Sequence, residues 1–161
     1  MRYLVGEEDK KAREYLFACV QLAERATCQR SRCGSLIVQD DQIIGSGYNT
    51  PPHNLESQRR CSCAKEQYHR KVTDKSCCMH AEQRAIMDTL QHNADKMFGS
   101  RLYFIRLDDD GEIAFSGRPW CTLCSKMALD AGVAEFVLRH KDGIAVYPTD
   151  EYNQISFSYT E

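Results

Sequence analysis

The most regular feature of the chain is a stripe of apolar residues at helical spacing between residues 9 and 26. The stripe comprises Ala12, Tyr15, Leu16, Cys19, Leu22, Ala23 and Ala26. Acidic residues in the opening turn suit the positive end of a helix dipole, so the pattern predicts a first helix. Two runs typical of strands follow, Ser35–Val38 and Gln42–Ser46, and the Asp40–Asp41 pair between them predicts a hairpin.

Residues 50–78 break this regularity and form a predicted insertion loop that is polar, basic and rich in cysteine. Pro51 and Pro52 exclude regular structure at its start, and a short helix is predicted only near Lys65 to Arg70. Loops of this length inside compact domains are usually functional or internally cross-linked. We therefore expect this loop to have a function or an internal staple.

Strands and helices alternate after the loop, which favours an α/β fold. The second helix begins near Ala81, and the third follows Pro119 and ends at Gly132. A crossover through the third helix should make the strands at 102–105 and 134–138 parallel neighbours. The five predicted strands are 35–38, 42–46, 102–105, 134–138 and 143–147. Their order predicts a three-layer α/β/α sandwich around a mixed five-stranded sheet, with residues 1–161 as a single domain.

Length and composition fit one globular core, since the chain has 161 residues, 42% of them apolar and 27% charged. No run approaches the ~18 apolar residues that a membrane-spanning helix needs. The N-terminus turns acidic at Glu7 and lacks the features of a signal peptide, so we expect a cytoplasmic protein. In a reducing compartment, metal binding is the commoner reason for paired cysteines, and the chain has nine cysteines.

The net charge of −2 gives no general attraction to a polyanion. Two local basic patches, at 29–32 and at Arg59–Arg60, fit solvated loop charges as well as they fit phosphate contacts. A small molecule is therefore favoured over nucleic acid as the partner.

Two predicted helix starts carry the reactive side chains. His80 lies at the start of the second helix, and Cys121 and Cys124 open the third. Cysteines three positions apart lie on one face of a helix and can hold the same ion. If both helices begin at the same edge of the sheet, His80 completes a zinc site with three protein ligands. Such a site keeps a fourth position open, as catalytic zinc sites do.

Glu82 follows His80 by two positions, too far round the helix to bind the same ion readily. It is placed instead to carry protons from a zinc-activated water to a ring nitrogen and then to departing ammonia. An H-x-E motif followed by P-C-x-x-C is typical of zinc deaminases. The alternatives, a structural zinc or a buried dithiol, leave Glu82 without a role.

Over about residues 28–138 the sequence resembles the cytidine and deoxycytidylate deaminase superfamily, and it is most similar to deoxycytidylate deaminases. Besides the zinc motifs, the resemblance rests on Cys28 ahead of the Gly34–Val38 strand and on the Gly-Tyr-Asn turn that ends at Asn49. It implies a cytidine deaminase-like fold, hydrolase activity and a homo-oligomer. It also implies that Asn49 contacts the sugar and that the backbone of Ala81 receives the base.

Two features depart from the family pattern. Trp120 stands between Pro119 and Cys121, where the family usually has proline directly before cysteine. The indole either alters which base or sugar is accepted or is a core or interface aromatic. The C-terminal aromatics match no family segment and suggest a lid or a subunit contact; they are Tyr147, Tyr152, Phe157 and Tyr159.

Some deoxycytidylate deaminases hold a second, structural zinc near the insertion loop, and Cys28 matches one ligand position of that site. The remaining ligands would come from a pool of residues in the loop: Cys61, Cys63, His69, Cys77 and Cys78. A metal would stabilise a segment with so little apolar content. The alternative is a set of unpaired surface thiols, which would be prone to oxidation.

The leading hypothesis is zinc-dependent hydrolytic deamination of a free cytosine nucleotide or nucleoside, deoxycytidylate-like first, to the uracil product and ammonia. The alternatives are a deaminase acting on a base in tRNA or single-stranded DNA, and one acting on another free heterocycle. A non-catalytic zinc-binding module is the least favoured, because Glu82 would then be idle.

Overall fold

The computed structural model describes residues 1–158, which form three layers with one mixed sheet in the middle. The strands are β1 (Arg2–Tyr3), β2 (Arg32–Gln39), β3 (Gln42–Tyr48), β4 (Arg101–Leu107), β5 (Ile113–Ala114), β6 (Glu135–His140) and β7 (Gly143–Pro148). The helices are α1 (Gly6–Glu24), α2 (Ala81–His92), α3 (Thr122–Ala131) and α4 (Thr149–Phe157). The sheet order is β1–β7–β6–β4–β2–β3, with β5 paired to β4.

The predicted hairpin and crossover are both confirmed. β2 and β3 pair antiparallel with Gln39 opposite Gln42, and the two turn residues Asp40 and Asp41 have φ of 49° and 56°. Positive φ at both central residues is what a two-residue hairpin turn of the right twist needs. β4 and β6 are parallel neighbours joined through α3, which ends at Gly132 in the left-handed conformation.

Alternating side chains of the strands divide the core between the two faces of the sheet. Leu36 and Val38 of β2 pack with α1, whereas Ile37 between them packs with α2 on the opposite face. The face opposite α1 is covered by α2, α3 and α4. None of the helices within residues 1–158 is long and apolar enough to cross a membrane.

The fold class is confirmed, and the strand count is the main difference. The sheet described here has seven strands rather than five, because β1 and β5 add two residues each at its margins. Strands that short are below the length at which alternation can be recognised. α1 spans 6–24 rather than 9–26. Among the C-terminal aromatics, Tyr147 lies in β7, and Tyr152 and Phe157 lie in α4. Tyr159 lies outside the described residues.

The insertion loop contains three short 3₁₀ turns, at Pro52–Asn54, Glu56–Gln58 and Lys65–Gln67, the last replacing the short helix predicted near 65–70. Basic residues in the loop and in the segment before β2 donate hydrogen bonds that hold the loop in place. Arg59 donates to the carbonyl of Thr27 at 2.7 Å, and Arg30 donates to the carbonyls of Cys61 and Cys63 at 2.8 and 2.7 Å. Both predicted basic patches therefore contribute contacts inside the protein.

Candidate active site

The start of α2 fixes the position of His80. His80 is the residue before the helix and has extended backbone angles, so its side chain leaves the helix start rather than its flank. Its backbone N–H donates to Oε1 of Gln83 at 3.0 Å, and its carbonyl accepts from the N–H of Arg84 at 3.1 Å. The bond to Gln83 satisfies one of the N–H groups that every helix start leaves unpaired, and the bond from Arg84 is the first within the helix.

The start of α3 is built in the same way around Cys121. Cys121 precedes the helix with extended backbone angles, and its carbonyl accepts from the N–H of Ser125 at 3.1 Å. Cys124 lies one turn further on and is fully buried. The N-terminal turn of a helix stabilises a thiolate, because its unpaired N–H groups carry partial positive charge.

The two helix starts converge on three donor atoms. Nδ1 of His80 lies 3.4 Å from Sγ of Cys121 and 3.3 Å from Sγ of Cys124, and the two sulfurs are 3.2 Å apart. Zinc–sulfur bonds of about 2.3 Å and zinc–nitrogen bonds of about 2.1 Å place tetrahedral ligands about 3.5–3.8 Å apart. One imidazole and two thiols at this spacing fit a catalytic zinc if the three donor atoms move slightly apart.

Proton affinities in this group are strongly perturbed. The hydrogen bond with Cys121, against the effect of burial, raises the pKa of His80 to about 9. The hydrogen bond with Cys124, and then the contact with His80, lower the pKa of Cys121 to about 4 despite burial. The pKa of Cys124 is raised by its bond to Cys121 and by burial. Closely packed donors that compete for protons are typical of a metal site.

Glu82 lies in the first turn of α2 and is 6% exposed. Its carboxyl group is near both His80 and the thiol of Cys124. Burial raises its pKa above the usual value, and the nearby negative charge of Cys121 adds to this, while His80 opposes it. A buried carboxyl that binds protons more tightly than usual is suited to general acid–base chemistry.

Two residues near the site had no role in it predicted from the sequence. Cys33, at the start of β2, has a pKa raised to about 12, first by burial and then by the charge of Glu82, so its thiol lies near that carboxyl. Tyr152 of α4 is 4% exposed, and its pKa is raised by burial and then by Glu82 and Cys124. Neither belongs to a motif. Cys33 is one of nine cysteines, and Tyr152 lies in a helix that the sequence did not predict.

Asn49 and Ala81 are both buried beside the site. Asn49 uses its side-chain amide inside the protein, accepting from the N–H of Cys33 at 2.8 Å and donating to the carbonyl of Ser31 at 2.8 Å. One amide hydrogen and one lone pair of Asn49 remain for other partners. Ala81 is the first residue of α2 and is fully buried. Their substrate contacts stay predictions.

Trp120 lies on the surface with 66% of its area exposed, while Pro119 before it is buried. Trp120 is therefore not a core aromatic, because its indole belongs to neither of the two hydrophobic clusters formed by the described residues. Its backbone continues directly into Cys121, so the exposed ring lies beside the metal-binding segment.

A second group of thiols lies where the insertion loop meets the segment before β2. Sγ atoms of Cys28, Cys61 and Cys78 all lie within 4.8 Å of one another. Cys77 joins them, because its sulfur is 3.3 Å from that of Cys61 and 3.8 Å from that of Cys78. Burial raises the pKa of Cys61, but hydrogen bonds from the Gln29 backbone, Cys77 and Arg59 bring it down to about 7.

Two members of the predicted ligand pool, Cys63 and His69, lie outside this group. The carbonyl of Cys63 accepts from Arg30, and its thiol is near Tyr68. Nδ1 of His69 accepts from the backbone N–H of Lys71 at 3.2 Å. The structure thus brings Cys28 together with Cys61, Cys77 and Cys78 of the predicted pool, and leaves Cys63 and His69 elsewhere in the loop.

Fold and site together define a three-layer α/β protein with a His–Cys–Cys metal centre at two helix starts. The sequence model of the family described as "Cytidine and deoxycytidylate deaminase zinc-binding region" matches residues 9–140. The chain belongs to this family, and its zinc-binding region includes all three converging side chains.

Curated relatives carry the name deoxycytidylate deaminase. The protein of that name from Schizosaccharomyces pombe is 31% identical over 41% of this chain, and the match spans only 21% of that protein's length. The deoxycytidylate deaminase of Mycobacterium phage D29 is 26% identical over 76% of this chain and 89% of its own.

Solved structures of related proteins have the same fold. The dCMP deaminase from cyanophage S-TIM5 superposes with a TM-score of 0.57 at 20% identity, covering 79% of this chain and 80% of that one. Cytidine deaminase from Burkholderia pseudomallei gives 0.51 at 15% identity, covering 84% and 94%. At such identities the likeness establishes the fold.

Proposed function

We propose that this protein is a zinc-dependent hydrolase that deaminates a free cytosine nucleotide or nucleoside. The favoured substrate is a deoxycytidylate-like compound. The observation that carries the proposal is Glu82, a carboxyl 6% exposed beside a His–Cys–Cys group. A structural metal site has no use for a buried carboxyl, which is costly to keep without a task. The deoxycytidylate deaminase names of the curated relatives support the substrate class.

The proposed roles follow from position. His80, Cys121 and Cys124 would hold zinc, which would supply Lewis-acid activation of water. Glu82 would take one proton from the water and pass it to the ring nitrogen of the base, then take the second proton of the same oxygen and deliver it to the departing amine. The carbon–nitrogen bond at the amine-bearing carbon breaks, a carbon–oxygen bond forms, and one water is consumed per ammonia released.

The contacts of the two basic patches favour a small substrate over a base in nucleic acid. Arg30 and Arg59 donate to backbone carbonyls of the protein itself, and Arg59 is paired with Glu56, which leaves fewer guanidinium N–H groups for phosphates. Another free heterocycle is the second candidate, because exposed Trp120 adjoins Cys121 and provides a surface that the family pattern lacks.

We also propose a second, structural zinc held by thiolates of Cys28, Cys61, Cys77 and Cys78. Their sulfurs cluster in a loop whose 3₁₀ turns contain no buried residue, where a metal would replace the missing core. Four thiolates are a common ligand set of structural zinc.

Finally, we propose that residues 1–161 act as one cytoplasmic domain that assembles with copies of itself. All nine cysteines are free thiols, which suits a reducing compartment. Exposed large apolar side chains, such as Phe98 at 84% and Phe17 at 64%, are available for burial against another subunit. Light scattering on the purified protein tests the assembly.

An ammonia-release screen tests the activity. Cytidine, deoxycytidine, their monophosphates, cytosine, guanine and short single-stranded DNA and RNA would be compared at equal concentration, with Glu82→Ala as the control protein. The proposal expects the highest rate with a cytosine nucleotide or nucleoside, and none with Glu82→Ala. Turnover of oligonucleotides alone, or undiminished turnover by Glu82→Ala, would overturn it.

A further inference from the structure

The helix α4 lies beyond the residues that the family model matches, yet it packs against the metal-binding end of α3. The link is a buried polar contact. Ser125, which directly follows Cys124 and is fully buried, donates its hydroxyl hydrogen to Oδ1 of Asn153 at 2.8 Å. Ser156, also buried, has its hydroxyl 3.3 Å from that of Ser125 and donates to the carbonyl of Asn153 at 2.7 Å.

A second contact holds the other end of the same segment. Arg118, three residues before Cys121, donates to the hydroxyl and the carbonyl oxygen of Ser158 at 2.9 and 3.1 Å. The segment 118–125 carries both cysteines of the metal centre and is therefore attached to the C-terminal helix on either side of them.

Tyr152 packs α4 against the sheet. Its ring stacks on Phe136 of β6 at a centroid distance of 4.1 Å and an angle of 21°, and meets Tyr147 edge-on at 6.1 Å. Burial, and then the negative charges of Glu82 and Cys124, raise the pKa of its phenol. Tyr152 therefore anchors α4 to β6 and β7 through its ring contacts.

We propose that α4 is a positioning element for the metal-binding segment, and that Asn153 is its positioning residue, fixing the turn of Cys121 and Cys124 through Ser125. The inference rests on the proposed zinc site. Groups that orient metal ligands without touching the ion typically change metal affinity 10- to 100-fold when removed. Asn153 gives the shortest of the three contacts of the Ser125 hydroxyl, whose other partners, the carbonyl of Thr122 and the hydroxyl of Ser156, lie at 3.3 Å. Its loss leaves this buried group only the longer contacts and leaves the turn free to shift.

The test measures zinc affinity in competition with a chromogenic chelator, on the full chain shown to be folded by circular dichroism. Asn153→Leu removes the acceptor at similar volume, and Ser125→Ala removes the donor. The matched control is Tyr147→Phe, which removes a hydroxyl from the same aromatic cluster on the side that faces His140 at 3.4 Å. Cys121→Ser identifies which zinc belongs to this site.

The proposal expects Asn153→Leu and Ser125→Ala each to weaken zinc binding about 10-fold, and the double variant no more than either. Tyr147→Phe should bind zinc like the parent. Parent-like affinity in both single variants would overturn the role of α4, and so would equal weakening by Tyr147→Phe. If Asn153→Leu fails to fold, Ser125→Ala alone decides between these outcomes. If Cys121→Ser keeps all of its zinc, the ligand assignment of the proposed function is overturned instead.

Discussion

A Cβ atom on Gly47 of β3 would lie 2.3 Å from the carbonyl oxygen of Ala81, the first residue of α2. It would also lie 2.6 Å from the backbone nitrogen of Ala85. No side chain fits at such distances, so glycine allows the strand and the helix start to touch. Because this helix start carries His80 and Glu82, the missing side chain of Gly47 sets where the two groups stand relative to the sheet.

Gly47→Ala should therefore disturb the site as well as the fold. The added methyl group must push α2 away, which we expect to lower the free energy of unfolding by about 1–3 kcal/mol. Zinc content and ammonia release should fall with it. Gly117→Ala is the matched control, since nothing lies within 4 Å of a Cβ there. Denaturant unfolding and metal analysis measure both effects, and a Gly47→Ala protein as stable as Gly117→Ala would contradict the argument.

Glu82→Gln keeps the size of the side chain and removes its ability to bind and release a proton. We expect ammonia release to fall by at least about 10²-fold, the usual contribution of a general acid–base group. Zinc per chain should stay at the parent value, because Glu82 is not a proposed ligand. A variant that loses zinc in proportion to activity would make Glu82 a structural residue.

The two cysteines at 61 and 63 provide a matched pair for the second thiol group. Cys61 lies inside the group, and Cys63, two positions away in the same loop, lies outside it. Cys61→Ser should lower the zinc content by one ion per chain, and Cys63→Ser should leave it unchanged. Elemental analysis after dialysis measures this. Equal zinc contents in the two variants would remove Cys61 from the ligand set.

The carboxylate of Glu8 links α1 to two arginines. Glu8 contacts Arg2 at 2.8 Å and Arg101 at 2.7 Å. The hydrogen bond from Arg2, with that from Arg101, outweighs burial and lowers the pKa of Glu8 to about 2. A lowered pKa in the folded state means that the contribution is present above about pH 4.5 and disappears as the pH falls toward 2.

Glu8→Gln should therefore lower stability near neutral pH, and the difference from the parent should shrink as the pH falls from about 4.5 to about 2. We expect about 0.5–1 kcal/mol at neutral pH, because the carboxylate is 39% exposed and solvent weakens such pairs. Glu14→Gln, on the same helix, serves as the control, since Glu14 has no salt bridge within residues 1–158. Urea unfolding at several pH values measures the difference. A constant difference across that range would show that Glu8 acts through packing.

The places where sequence reasoning fell short share a cause. Helix α4 buries Thr149, Tyr152 and Ser156, a face too polar to show hydrophobic periodicity. Asn49 fitted a sugar contact by position in a motif, but only the fold shows that its amide is held by Cys33 and Ser31. Such roles depend on which segments meet, and a short polar pattern does not encode that.

The α/β class could be predicted from the sequence alone, as could the hairpin at Asp40–Asp41 and the two helix starts that carry His80 and the Cys121–Cys124 pair. These features depend on forces within a few residues: side-chain periodicity, turn geometry and the capping of helix ends. Which thiols cluster is seen only in the folded chain, because Cys28 and Cys78 lie fifty residues apart and meet only through the path of the loop. The same holds for the support of the metal-binding segment by a C-terminal helix, since a buried hydrogen bond between Ser125 and Asn153 exists only when α3 and α4 are packed together.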